Sequence, residues 1–263
     1  MRITLNGKAV DTECRTALEL KGGNDVVILN GYQLSADAGL KEGDTVCVIK
    51  KGVMPGRDEL ESMMAARHTP GVHGKLKAAR VAIAGLGGLG SNIAVSLARI
   101  GVGELLLVDH DVVEPSNLNR QSYYISHLGQ KKTAALKSQL AEINCFIDIK
   151  TVDAFIDENN AVELFSGYDI VCEAFDNPYS KAMLVSTLMS NVPGVRIVAA
   201  SGLAGYGSSN DIRTAVSFGR VYVCGDKSSA AEPGRGLMSP RVQICAGHQA
   251  NMVLRLILGV TEV

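Results

Sequence analysis

Residues 81–90 read Val-Ala-Ile-Ala-Gly-Leu-Gly-Gly-Leu-Gly, and this stretch decides the fold. Its first four residues are apolar and predict a buried strand. Residues 89–100 predict a helix, because Ile93, Leu97 and Ile100 fall on one helical face. The glycines between these two elements therefore lie on a turn from strand to helix.

The glycines of this turn are candidates for nucleotide binding: Gly85, Gly87, Gly88 and Gly90. Glycine lets the backbone turn sharply and approach a phosphate, whose charge is met by N–H groups at the helix N-terminus. Tight packing of a helix on a sheet uses the same residues. The turn alone therefore leaves that structural alternative open.

The next predicted strand favours a nucleotide site. Residues 105–108 form a second apolar run, which leads into Asp109, 24 residues after Gly85. In dinucleotide-binding sheets a carboxylate near this position binds a ribose hydroxyl. We therefore expect Asp109 to bind ribose.

The loop at residues 109–121 collects carboxylates, amides and a guanidinium group directly after this strand. The candidates within it are Asp111, Asn117, Arg120 and Gln121. A solvated charged loop is the alternative, but it does not account for two amides beside an arginine that follow a ribose carboxylate so closely. We expect the loop to line the nucleotide site.

Two further candidate groups lie farther along the chain. Lys131 and Lys132 are the first residues of a predicted helix. A cation is disfavoured at a helix N-terminus unless an anion is bound there, so a bound phosphate would explain at least one of these lysines. Asp176 and Asn177 follow the predicted strand at 170–173. Because ligands of open α/β sheets bind outside the carboxyl ends of the strands, we expect Asp176 beside the same nucleotide, where its carboxylate can hold magnesium.

Composition excludes several classes of function. The 263 residues carry 26 basic and 27 acidic side chains, a net charge of −1, which argues against a general binder of nucleic acid or membrane surfaces. No apolar stretch approaches the roughly 20 residues that span a bilayer, and the N-terminus lacks the apolar core of a signal peptide. The expected location is cytoplasmic.

The six cysteines indicate no zinc site. They are never closer than 21 residues and form no C-x-x-C pair. In a reducing compartment Cys145, Cys172 and Cys245 are expected to be buried apolar residues. For Cys224 a chemical role stays open.

Three segments are predicted along the chain. Residues 1–52 read as a small β-grasp (ubiquitin-like) domain and resemble sulfur carriers of the ThiS type in the phrases 29–31 and 42–46. Residues 53–79, rich in glycine and proline, predict a linker with a docking helix. Residues 80–263 predict the main domain, a Rossmann-like α/β sheet with helices on both faces.

Residues 67–258 resemble the E1-like adenylyltransferases that activate ubiquitin-like carriers. The resemblance rests on the glycine turn, Asp109, the run 116–121, Lys132 and the Asp176-Asn177 pair. Within that family the sequence is most similar to the ThiF type in its shorter, zinc-free form, through the stretches 225–226, 237–242 and 248–251.

The resemblance implies ATP and Mg²⁺ as ligands and a separate carrier ending in Gly-Gly as partner. It implies that the glycines hold the nucleotide, that Asn117, Arg120 and Lys132 bind phosphates, and that Asp176 binds the metal. Arg67 resembles an arginine that these enzymes insert into a partner subunit, which implies a homodimer, although Arg80 competes for that role. Thiamine (thiazole) synthesis is implied by the same likeness.

The sequence therefore predicts ATP-dependent adenylation of a carrier's C-terminal glycine. A nicotinamide-dependent oxidoreductase would use the glycine turn and Asp109 but leaves Arg120, Lys132 and Asp176 unexplained. A catalytically silent scaffold that binds a carrier is the other alternative. The N-terminal domain is not expected to be a substrate, because Gly52 continues into Val53 and has no free carboxylate.

Overall fold

The computed structural model describes residues 1–263 and divides into two compact units, Met1–Gly74 and Lys75–Val263. Each unit has its own sheet. None of the helices combines the length and apolarity that a membrane-spanning helix needs.

The first unit has the predicted β-grasp arrangement. Its elements are β1 (Arg2–Leu5), β2 (Lys8–Asp11), a 3₁₀ helix (Ala17–Leu20), β3 (Val26–Leu29), β4 (Tyr32–Gln33), β5 (Thr45–Ile49) and α1 (Arg57–Ala65). The sheet order is β2-β1-β5-β3-β4, with β1 and β5 parallel at its centre. The other pairs in this sheet are antiparallel, which confirms the expected fold.

Both faces of this small sheet are covered. Val27, Val46 and Val48 pack with the 3₁₀ helix on one face. Ile28 and Cys47, which pair across β3 and β5, are also buried and alternate to the other face. There α1 packs against β5, and burial, reinforced by the charge of Glu59, raises the pKa of Cys47 to about 11.

The second unit contains the large sheet. Its strands are β6 (Arg80–Ala84), β7 (Glu104–Asp109), β8 (Asp148–Asp153), β9 (Ile170–Glu173), β10 (Arg196–Ala200), β11 (Arg213–Phe218) and β12 (Val221–Gly225). Its helices are α3 (Gly88–Arg99), α4 (Lys132–Ile143), α5 (Ala161–Phe165), α6 (Pro178–Asn191) and α7 (Ser239–Ile257). The order β11-β12-β10-β9-β6-β7-β8 is parallel except for β11, as expected of a Rossmann-like sheet.

A helix that the sequence did not predict, α2 (Val72–Ala78), precedes β6. Its glycine content argues against a helix, but Leu76 is fully buried and its carbonyl accepts the N–H of Gly103 at 2.9 Å. A Cβ on Gly103 would lie 1.9 Å from the Lys77 carbonyl oxygen. Close packing with the main sheet therefore outweighs the local preference.

The register of the central strands decides where a ligand can bind. Ala84 at the end of β6 pairs with Val108 of β7 on one side and with Glu173 of β9 on the other. After β6 the chain adds β7 and β8 on one side of that strand, and then crosses to add β9 on its other side. The carboxyl ends of these strands thus form a crevice at the point where the strand order reverses.

Candidate functional site

The glycine turn combines two structural roles. Gly85 has a φ of +88°, and a Cβ there would lie 3.0 Å from the Phe175 ring. A Cβ on Gly90 would lie 1.9 Å from the Gly85 carbonyl oxygen. Both glycines therefore have a packing role: a side chain on Gly85 would press on the turn after β9, and one on Gly90 would separate α3 from the strand end.

Gly87 faces the open side of the turn, whereas a Cβ on Gly88 would lie 3.1 Å from Val242 Cγ1 of α7. The atom nearest to a Cβ on Gly87 would be the Gln121 Nε2, at 3.9 Å. Gly87 caps α3, and the N–H groups of the first turn of a helix have no acceptor within the helix. This open N-terminus can accept a phosphate without a clash.

Asp109 is the last residue of β7 and is fixed at the rim of this turn. Its Oδ2 accepts the Leu86 N–H at 2.6 Å, and its Oδ1 accepts the Asp111 N–H at 2.8 Å. The buried Tyr123 hydroxyl donates to the Leu86 carbonyl at 2.9 Å. Burial, and then the charge of Asp109, raise the pKa of Tyr123, so this hydroxyl stays protonated. Two backbone N–H groups thus hold the carboxylate beside the open Gly87.

Arg120 lies beside the same turn. Its Nη1 donates to the Ser116 carbonyl at 3.0 Å and to Asn119 Oδ1 at 2.8 Å. Its Cγ would be 3.5 Å from a Cβ on Gly88. The Asn92 side chain, on α3, donates to the Arg120 carbonyl at 3.1 Å, which ties the loop to the helix.

The two amides of this loop differ in their environment. Asn117 Oδ1 accepts the Glu114 N–H at 3.0 Å, so Asn117 closes a 3₁₀ turn at 115–117. Gln121 is buried, and its Oε1 has no hydrogen-bond partner within the protein. This buried acceptor is therefore free to accept a hydrogen bond from a ligand beside Gly87.

Lys132 is the first residue of α4 and is only 5 % exposed. Its Nζ lies 2.8 Å from Asp111 Oδ2. Burial raises the pKa of Asp111, but Lys132, with His110 and Lys131, outweighs that effect and lowers it overall. Asp111 thus supplies, within the chain, the anion that the sequence analysis expected at this helix end, so the position of Lys132 does not by itself require a phosphate.

Asp176 and Asn177 lie in the turn that follows β9. The Asp176 side chain is exposed and makes no hydrogen bond or ion pair within the protein. Asn177 caps α6, and its Oδ1 accepts the N–H groups of Tyr179 at 2.8 Å and Ser180 at 3.3 Å. A free carboxylate at the carboxyl edge of the sheet is the donor type that Mg²⁺ prefers.

The two remaining candidate arginines belong to different units. Arg67 belongs to the first unit, where its Nη1 donates to Gln33 Oε1 at 2.8 Å. Arg80 begins β6, where its Nε donates to Glu104 Oε1 at 3.0 Å and its guanidinium lies 4.9 Å from the Tyr168 ring centroid. Arg80 is therefore at the amino edge of the sheet, away from the glycine turn.

The cysteines differ in burial. Cys224 is fully buried, and its Sγ lies 3.5 Å from Thr214 Oγ1, which is 3.0 Å from His248 Nδ1. Burial raises the pKa of Cys224 to about 11, so the thiolate needed for sulfur chemistry is disfavoured. Cys145 is exposed, contrary to expectation, because the neighbouring Asn144 takes the inward position and donates to the Ala98 carbonyl.

Two buried ion pairs were missed by the sequence analysis. Glu173 pairs with Lys181, and Asp226 pairs with Arg241, whose Nη1 also donates to the carbonyls of Gly207 and Ser208. The available signal was an acidic residue that ends an apolar strand, as in Ile-Val-Cys-Glu at 170–173.

Comparison with protein families and known proteins gave consistent matches. Residues 61–263 match the ThiF family, and residues 1–52 match the ThiS-like ubiquitin family. The adenylyltransferase and sulfurtransferase UBA4 of Saccharomyces cerevisiae (strain YJM789) is 33 % identical over 207 residues, which cover 75 % of this chain and 46 % of that protein. The chain thus spans about half the length of this curated relative.

Two further matches concern a tRNA-modifying enzyme. The tRNA threonylcarbamoyladenosine dehydratase of Haemophilus influenzae is 35 % identical over 137 residues, covering 51 % of this chain and 52 % of that protein. The crystal structure of the E. coli enzyme TcdA in complex with ATP has a TM-score of 0.69 at 21 % identity, covering 79 % of this chain and 98 % of that one. At that identity the structural likeness shows the fold alone.

Proposed function

Because the chain belongs to the ThiF family and begins with a ThiS-like ubiquitin domain, we propose that it adenylates the C-terminal glycine of a ubiquitin-like sulfur carrier at the expense of ATP. The relative UBA4 is named as an adenylyltransferase and sulfurtransferase, which supports this class of reaction. The chain's own activity and partners are the substance of the proposal.

The proposal rests on a group of hydrogen-bond donors and acceptors that lie together at the carboxyl edge of the large sheet. The open N-terminus of α3, the fixed Asp109 carboxylate and the unpartnered Gln121 Oε1 lie within one turn of backbone and its neighbouring loop. Arg120 borders this turn, and Lys132 is held near it through Asp111. A phosphate and a ribose hydroxyl match these donors and acceptors.

In the proposed reaction the carrier carboxylate attacks the α-phosphate of ATP and pyrophosphate leaves. The N–H groups after Gly87 bind phosphate, Asp109 accepts a ribose hydroxyl, and Asp111, Asn117 and Gln121 line the same site. Arg120 and Lys132 stabilise charge that grows on the phosphates. Positioning and cationic groups supply most of the acceleration in phosphoryl transfer, so the site needs no nucleophilic triad.

Asp176 is the proposed magnesium ligand, because its carboxylate has no partner in the chain and follows a strand end at the same edge. Asn177, which follows it, is the accompanying candidate for nucleotide binding. Bound Mg²⁺ supplies positive charge that offsets the negative phosphates. Zinc is not part of the proposal, because the chain has no C-x-x-C pair.

The proposed partner is a ThiS-like carrier that ends in Gly-Gly. We further propose a homodimer in which Arg67 acts on the partner subunit's site, as the family resemblance implies. Thiamine (thiazole) synthesis is the pathway proposed from the ThiF-type resemblance.

The test is exchange of labelled pyrophosphate into ATP. With a carrier ending in Gly-Gly we expect exchange, and with a carrier truncated by its last two residues we expect none. A change in NAD(P)H absorbance with no exchange would support an oxidoreductase instead. If neither pyrophosphate exchange nor an absorbance change is seen but the carrier still binds, a catalytically silent scaffold is supported.

A second candidate is activation of a modified nucleoside of tRNA. It is favoured by the 35 % identity to the H. influenzae dehydratase. The net charge of −1 gives it less support, because tRNA binding requires neutralisation of many phosphates. The same exchange assay with tRNA carrying threonylcarbamoyladenosine in place of a carrier separates the two.

A further inference from the structure

An ion pair between a buried glutamate and a partly buried lysine brackets the turn that carries Asp176. Glu173 ends β9 and is completely buried, and Lys181 lies in the first turn of α6. The Lys181 Nζ is 3.0 Å from Glu173 Oε1 and 3.1 Å from Oε2. One cation therefore binds both oxygens of the carboxylate.

This pair is costly where it stands. Burial raises the pKa of Glu173, and Lys181 offsets that effect only in part. Lys181 also lies at the helix end where a cation is disfavoured. Since buried ion pairs are weak evidence for stability, a role other than stability is the more economical explanation.

The pair spans the whole segment between strand and helix. Glu173 Oε1 also accepts the Phe175 N–H at 2.7 Å, and the Ala174 N–H donates to the Ala84 carbonyl at 2.9 Å. At the far end the Lys181 N–H donates to the Asn177 carbonyl at 3.1 Å. The pair thus links the end of β9 to the first turn of α6, and separate backbone hydrogen bonds hold the two ends of residues 174–180.

The backbone behind the pair is held as well. Gln249, on α7, donates from Nε2 to the carbonyls of Glu173 and Val198, at 3.1 Å each. On the other side, Phe175 and the Ala174 carbonyl lie against Gly85. The turn thus lies between α7 and the glycine turn, and of the polar side chains at 174–177 only Asp176 makes no hydrogen bond.

We propose that Glu173 and Lys181 are positioning residues that hold the Asp176 turn so that its carboxylate faces a metal-bound nucleotide. The inference rests on the proposed function for the identity of that ligand. Glu173 is enclosed and the Lys181 ammonium is directed to its carboxylate, so in this proposal both act through the turn and not on the substrate. Their effect is transmitted through the backbone of residues 174–177.

The test measures how much Mg²⁺ strengthens ATP binding, by calorimetry on the full chain with and without the metal. Glu173→Gln keeps an acceptor for the Phe175 N–H but removes the charge, and Lys181→Met removes the cation. We expect each variant to lose about 10- to 100-fold of metal affinity while ATP binding without metal is unchanged. The matched control is Lys150→Met, which breaks an ion pair with Glu104 at the amino edge of the same sheet.

Rescue separates positioning from a merely structural role. The double variant Glu173→Asp with Lys181→Arg shortens one partner and lengthens the other, and we expect it to restore the metal dependence. The inference would be overturned by variants that melt at a lower temperature but whose ATP affinity rises with Mg²⁺ as much as that of the wild type. It would also be overturned if Mg²⁺ did not raise the ATP affinity of the wild type. A wild type that binds ATP with Mg²⁺ but shows no carrier-dependent exchange would instead defeat the proposed function and leave this inference standing. If Glu173→Gln does not fold, Lys181→Met and the double variant decide.

Discussion

Arg120 and Lys132 carry the same charge but are held differently at the residue scale. Lys132 is buried and its ammonium already pairs with Asp111, whereas the Arg120 guanidinium contacts only neutral acceptors, the Ser116 carbonyl and Asn119 Oδ1. A cation that is already neutralised loses part of its attraction for a ground-state phosphate. It can still respond to charge that grows as pyrophosphate departs.

Because each cation is placed to act on charge that grows in the transition state, we expect Arg120→Ala and Lys132→Ala each to lower the turnover of pyrophosphate exchange about 100-fold or more, with smaller losses of ATP affinity. Binding by calorimetry and turnover at saturating ATP are measured separately. Lys131→Ala is the control, because its Nζ pairs with Asp153 and the His110 carbonyl instead. Equal losses of ATP affinity with unchanged turnover would mean that the two cations only anchor ground-state phosphates.

Asp176→Ala is expected to abolish Mg²⁺-dependent exchange while the melting temperature stays within about 2 °C of wild type. The exposed carboxylate makes no hydrogen bond or ion pair within the protein, so we expect its removal to cost little folding energy. Activity and thermal unfolding are recorded on the same preparation. Asp211→Ala, another exposed acidic residue of the same unit, is the control. Wild-type exchange by Asp176→Ala with magnesium would show that the metal is held elsewhere.

At the scale of elements, the junction of β6 and α3 shows what the sequence could and could not predict. The apolar runs and the glycines predict strand, turn and helix to within a residue, because local pattern alone decides them. Which glycine packs and which stays open depends on Phe175 and Gln121, which are distant in sequence. The same limit explains α2, whose helix is stabilised by contact with Gly103 and not by its own composition.

The candidate site shows this limit again. Asp109 and Lys132 could be located from strand and helix ends, but the partner of Lys132 could not, because Asp111 reaches it only through the fold. The Glu173–Lys181 pair depends on packing between β9, α6 and α7. The hydrophobic periodicity of the sequence does not predict this packing. Residue types at element ends are therefore predictable, whereas their pairing is not.

The two roles of the glycine turn lead to a prediction about the junction of β6 and α3. Gly90→Ala places a Cβ 1.9 Å from the Gly85 carbonyl oxygen, so α3 has to move away from the strand end. We expect a loss of about 1–3 kcal/mol in the free energy of unfolding, measured by urea denaturation. Gly247→Ala, on the open face of α7, has no atom within 4 Å of the new Cβ and should stabilise by about 0.4–1 kcal/mol.

Comparable effects of the two substitutions would contradict this assignment of Gly90. The pair is matched, because both glycines are helical and both gain a single methyl group. Only the space around them differs. The comparison thus isolates the close approach of helix and strand from the general preference of helices for alanine.

At the scale of the whole molecule, the N-terminal domain has the fold of a carrier but lacks a carrier's reactive group. Carriers of this type present a free carboxylate on a terminal glycine. Here Gly52 continues into Val53, so its carbonyl is an amide and offers no nucleophilic oxygen. Within the first unit the chain then forms α1, which packs against β5 of the same small sheet.

We therefore expect the purified chain with ATP and Mg²⁺ alone to show negligible pyrophosphate exchange, and a separate carrier ending in Gly-Gly to start it. A nucleophile is required for adenylation, and residues 1–52 contain no terminal carboxylate to supply one. Mass spectrometry of the chain after incubation with ATP is the second measurement, and no AMP adduct is expected on residues 1–55. Vigorous exchange without an added carrier, or an adduct in that segment, would mean that another group of this domain is activated and that the domain is a substrate of its own chain.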